Sequence, residues 1–92
     1  MNDRPYTQKN VTENVFERSF SIDTPTTELT WHRDREDRVV EVINGGGWKF
    51  QMDDELPQDL KEGDIISIPK NTYHRVIKGE SELIVKITEN YE

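Results

Sequence analysis

The sequence predicts an all-β domain, a barrel or a sandwich, on three observations. Short runs of apolar residues alternate with polar ones at a period of two. Turn signals rich in Gly, Pro, Asn and Asp separate these runs at close intervals. No segment keeps helical spacing over about eleven residues. The chain has 92 residues, the length of one domain. Residues 1–10 read as a flexible lead-in, and residues 11–92 as a single domain.

The elements follow in order. Residues 15–22 place Phe16, Arg18, Phe20 and Ile22 on one mostly apolar face and Val15, Glu17, Ser19 and Ser21 on the other, as a strand does. Asp23-Thr24-Pro25 is a turn. Residues 27–34 alternate again, predicting a second strand. Leu29, Trp31 and Arg33 share one face; Glu28, Thr30, His32 and Asp34 share the other. Arg35-Glu36-Asp37 is a polar turn. Residues 38–44 are rich in β-branched side chains, and Gly45-Gly46-Gly47, which tolerates positive φ, ends that strand. Trp48, Phe50 and Met52 alternate with Lys49, Gln51 and Asp53 and read as core. An acidic loop over 53–58 and the turn Glu62-Gly63-Asp64 lead to a strand at 65–68, stopped by Pro69. Lys70-Asn71-Thr72 turns the chain into a strand at 73–77. Lys78-Gly79-Glu80 turns it into the last strand, at 82–88.

Composition narrows the function classes. Hydrophobic residues are 32% of the chain and charged residues 34%. A domain this size buries only roughly 60–65% of its unfolded surface, so a homodimer is expected to add apolar cover. Net charge is −7, and the one dense basic cluster, Arg33, Arg35 and Arg38, is interleaved with Asp34, Glu36 and Asp37. That is no phosphate track, which argues against nucleic acid as a partner. The absence of cysteine excludes disulfides, thiolate metal sites and cysteine nucleophiles. No apolar run has the length of a membrane span or the form of a signal-peptide core. The expectation is a soluble cytoplasmic protein with no membrane partner.

The chemistry centres on two histidines. His32 and Asp34 are two apart on one predicted strand and therefore point the same way. Each histidine alone is explained as readily by core polar groups. Their register says more. Thr26, five residues, His32-Arg33-Asp34, three residues, Arg38, six residues, Gly45 follows one pattern. Gly63, five residues, Pro69-Lys70-Asn71, two residues, His74, three residues, Lys78 follows a second. These resemble the two motifs of the cupin family, G-x5-H-x-H-x3-E-x6-G and G-x5-P-x-G-x2-H-x3-N. His32, Gly45, Gly63, Pro69 and His74 match by identity, and the likeness covers residues 26–78.

The resemblance implies a cupin-type jelly-roll barrel, also described as a double-stranded β-helix. In metal-binding cupins the motif histidines and glutamate hold a divalent ion. Carried over by position, His32 and His74 are ligands, Asp34 stands at the second histidine, and Arg38 stands at the glutamate. Two imidazoles and a carboxylate form a facial set suited to Fe(II), and Mn, Co, Ni or Zn also fit it. The order His-x-Asp…His also resembles that of iron- and 2-oxoglutarate-dependent oxygenases. No oxoglutarate arginine follows His74 on a strand, which argues against that subclass.

Arg38 departs most from the pattern, because a guanidinium beside the ion repels it. Either it holds a substrate anion at the barrel mouth, or it pairs with Asp34 inside a metal-free barrel. Thr30, Arg75 and Lys78 complete the substrate-binding candidates, although parity places Arg75 opposite His74. If His32 faces inward, Leu29 and Trp31 are expected to face outward. Three functions remain compatible: a metal-dependent enzyme on a small polar or anionic substrate such as a sugar acid, a ligand-binding or sensing module, and a structural protein with a degraded site.

Overall fold

The computed structural model describes residues 6–24 and 29–90. The predicted lead-in at 1–5 and the residues 25–28, which include Thr26 and the start of one predicted strand, lie outside the described residues. The strands are β1 (Thr7–Asn10), β2 (Val15–Phe20), β3 (Asp37–Asn44), β4 (Lys49–Met52), β5 (Gln58–Asp59), β6 (Ile65–Ile68), β7 (His74–Ile77) and β8 (Leu83–Asn90). They form a five-stranded sheet, β1-β2-β8-β3-β6, facing a three-stranded sheet, β5-β4-β7. Every strand pair is antiparallel. No helix is long and apolar enough to cross a membrane among the described residues.

The core lies between the two sheets, as the alternation requires. Phe16 of β2, Val40 and Val42 of β3, Ile66 and Ile68 of β6, and Leu83, Val85 and Ile87 of β8 point inward from the large sheet. Trp48 and Phe50 meet them from the small one. Trp48 is fully buried, and its indole N–H donates to the Ser81 carbonyl at 2.6 Å. Truncating a buried ring of this size to alanine costs on the order of 3–5 kcal/mol.

Two motif positions have direct steric explanations. A Cβ at Gly45 would lie 1.9 Å from the Leu60 carbonyl oxygen, so no side chain fits there. Asn71, at the motif's second-turn glycine, has φ 63°. Asparagine is among the residues that tolerate this left-handed region, which explains how the motif survives the exchange.

Three expectations need correction. Residues 7–10, read as lead-in, form β1 against β2. The strand is exposed along its whole length and carries no apolar alternation to reveal it. The strand predicted at 27–34 is reduced among the described residues to one bridge, His32 to His74. Leu29, expected to face outward, is 9% exposed and packs in the core. It and His32 both face the barrel interior although they are three positions apart, which strict alternation forbids. Trp31 does face outward, at 39% exposure, with the Arg75 guanidinium 4.8 Å from its ring centroid.

Candidate metal centre

Backbone hydrogen bonds fix the three candidate ligands in place. His32 and His74 exchange bonds, N–H to carbonyl, at 3.0 and 2.8 Å. The Asn71 N–H donates to the Asp34 carbonyl at 2.7 Å, and the Lys70 N–H donates to the Asp37 carboxylate at 2.8 Å. The loop carrying Asp34 is thus tied to the turn preceding β7, and His32 to the start of β7 itself. Sequence places these residues forty positions apart; the barrel's closure makes them neighbours.

The side chains converge. One ligand atom from each of His32, Asp34 and His74 lies within 4.8 Å of the others. His32 Nδ1 lies 3.0 Å from the Thr30 carbonyl, and His74 Nδ1 lies 2.8 Å from the Thr72 carbonyl. A carbonyl only accepts, so both Nδ1 atoms carry a proton, and Nε2 of each ring is the atom left available to a metal. This is the outer hydrogen bonding that orients metal-ligating histidines. His74 Nε2 is 3.3 Å from Asp34 Oδ2, the spacing of neighbouring ligand atoms about 2.1 Å from a shared ion. Asp34 Oδ2 is buried without a hydrogen-bond partner among the described residues. A ring nitrogen and a carboxylate oxygen at this distance are bridged either by a proton on Nε2 or by a cation between them. The donor set therefore fits a divalent ion, with His32, on the exposed side, as its third ligand.

Arg38 makes the contact with Asp34 that one of its two expected roles called for. Its Nη1 lies 3.2 Å from Asp34 Oδ2. Its Nε donates to Glu89 Oε2 at 2.8 Å, and its Nη2 donates to the same oxygen. Arg38 and Glu89 face each other across the β3–β8 ladder. Glu89 thus offsets the charge that would otherwise repel an ion at Asp34. Burial acts to raise the Asp34 carboxyl. The hydrogen-bonding contact with His74 and the charge of Arg38, joined by those of His74 and His32 when protonated, overcome it and hold the group below its ordinary value.

The other substrate-binding candidates stand apart. Thr30 is exposed and contributes its carbonyl to His32. Arg75 points away from the site, donating to Gln51 at 3.0 Å. Lys78 follows β7 and does not line the cavity. Two charged residues that the sequence reading did not single out do point inward: Glu89, and Arg18 on β2. Both sit at inward parity, Glu89 after Leu83, Val85 and Ile87, and Arg18 between Phe16 and Phe20. A cavity of about 120 Å³ lies between the sheets, reached by Arg18, Arg38, His32 and His74 and walled mainly by apolar side chains.

No protein-family model matches the sequence, and no curated protein does. Solved structures do match in shape. A cupin domain from Bordetella pertussis Tohama I is 24% identical, with TM-score 0.62, covering 99% of this chain and 100% of that one. KdgF from Halomonas sp. is 18% identical, with TM-score 0.68, over 95% of this chain and 78% of that one. A chain from the structures of the DMSP lyases RdDddP and RnDddQII is 14% identical, with TM-score 0.71, over 84% of this chain and 37% of that one. Identities this low speak for the fold.

Proposed function

Because the chain has the cupin fold, we propose that it is a divalent-metal-dependent enzyme acting on a small anionic substrate held in the barrel. The carrying observation is the grouping of His32, Asp34 and His74, whose ligand atoms lie within 4.8 Å of one another, with His74 Nε2 3.3 Å from a buried Asp34 oxygen. His32, Asp34 and His74 would hold the ion, with Fe, Mn, Zn or Ni compatible with the donor set. When bound, such an ion supplies Lewis acidity toward a substrate oxygen. Three protein ligands leave positions open for substrate. The apolar walls exclude water from the reacting group, and Arg38 and Glu89 keep the local charge close to balance. DMSP lyases among the structural neighbours support an enzyme reading.

A second reading has its own observation. Arg38 already places a cation 3.2 Å from Asp34, as in a metal-free barrel that binds or senses a ligand without chemistry. Elemental analysis of untagged protein, purified without a nickel column, separates the two. The enzyme reading expects one equivalent of Fe, Mn, Zn or Ni, lost in His74→Ala. Metal-free protein whose melting temperature ignores every divalent ion would support the second reading and defeat the first.

A further inference from the structure

Among the described residues two guanidiniums reach into the barrel, and only one of these is matched by protein carboxylates. Arg38 is held between Asp34 and Glu89. Arg18 makes no ion pair among the described residues. Its Nε donates to the neutral Gln8 side chain at 3.0 Å, and its Nη atoms make no hydrogen bond there. The guanidinium carbon lies 4.0 Å from the Tyr6 ring centroid and 4.8 Å from that of Phe16. Those rings hold the planar group in one orientation without using its in-plane donors. Arg18 faces Val85 across the β2–β8 ladder, on the inward row, and lines the cavity.

We propose that Arg18 is the receptor for the carboxylate of a small ligand whose short apolar body occupies the barrel. The free edge of a guanidinium presents parallel N–H groups that match a carboxylate in a two-point contact. An arginine stays charged in proteins, and leaving its donors unmatched in a half-buried site is costly. Burial, with the nearby Arg38 charge, pushes the Arg18 pKa down, while Tyr6, Asp34 and Glu89 act in the opposite direction. Apart from Tyr6, Arg38 and the two histidines, the remaining walls, including Leu29, Phe50, Leu60 and Val76, are apolar and offer no partner for hydroxyl groups. A volume of about 120 Å³ is well below that of sites built for larger ligands. The chemistry favours a short branched or unsaturated monocarboxylate over a sugar acid. This deepens the enzyme reading and rests on it for the reaction, while the recognition of the anion stands on Arg18 alone.

The test uses isobutyrate as probe and isobutyramide, its neutral isostere, as control, with calorimetry on the full chain. Wild type is expected to bind the acid about tenfold or more tightly than the amide. Arg18→Gln is expected to abolish that preference while keeping wild-type metal content, and Arg18→Lys to retain part of it. Metal content in the Gln variant, or partial preference in the Lys variant, guards against simple misfolding. The proposal is overturned if wild type does not prefer the acid. It is equally overturned if Arg18→Gln keeps the preference and His74→Ala loses it, which would place the anion on the metal. Metal-free wild type that still shows an Arg18-dependent preference would sink the enzyme reading and leave Arg18 in its role.

Discussion

The two guanidiniums in the barrel are treated in opposite ways. Arg38 lies among Asp34, Glu89 and the histidines, and its charge is balanced within the chain. Arg18 rests on Tyr6 and Phe16 with a neutral amide as its only side-chain hydrogen-bond partner among the described residues. Phe16 lies beside both guanidiniums, at 4.8 and 5.9 Å. The difference separates architecture from recognition. A charge neutralised in the fold holds strands together, whereas one left open selects what enters from outside.

The comparison breaks most visibly at Glu89. Glu89→Gln removes the main counter-charge of a nearly buried pair, and urea unfolding should show a loss of about 3 kcal/mol. That is the low end for breaking such a pair, because Asp34 still faces Arg38. An effect near zero would mean that Arg38 is not neutralised by this contact. A smaller change of opposite sign is expected at Arg18. Arg18→Met keeps apolar contact with the rings and removes an unmatched charge, so stability in the absence of ligand should rise by about 1 kcal/mol, read as a higher melting temperature. A fall would make Arg18 a structural residue.

The smallest effect belongs to Asp34 in acid. Its carboxyl is depressed in the folded chain, so as pH falls the unfolded chain takes up this proton first. The stabilisation is complete above about pH 4 and disappears as pH drops through the folded value. Asp34→Asn, measured in a chelator, should flatten the stability curve over that acid range. An unchanged acid limb would remove the case for a functional contact between Asp34, His74 and Arg38.

Much of this was legible in the sequence, for physical reasons. Strands with one buried face announced themselves by alternation, as Phe50 and Met52 do in β4 and Leu83, Val85 and Ile87 do in β8. β1 and the two-residue β5 are exposed throughout and are made by pairing, which leaves no trace in the pattern. The segment from Leu29 to Asp34 misled because backbone bonds to His74 and Asn71, not a ladder, set its side-chain directions. Motif register pointed to His32, Asp34 and His74 as neighbours, which the fold makes them, and the turns around them need particular backbone shapes at Gly45, Gly63 and Asn71. Arg18 and Glu89 escaped because a charge at an inward position looks like a break in the apolar face. What distinguishes them is the partner across the sheet, which is unknown until register is known.

The central claim is that His32, Asp34 and His74 share one ion through Nε2 and carboxylate oxygen. Co(II) added to metal-stripped protein tests it most directly, with the exchangeable imidazole protons followed by NMR. The account predicts one paramagnetically shifted Nδ1–H from each of His32 and His74, held by the Thr30 and Thr72 carbonyls, with both signals absent in Asp34→Ala. Saturating Co(II) that shifts neither proton, or only one of them, would contradict it.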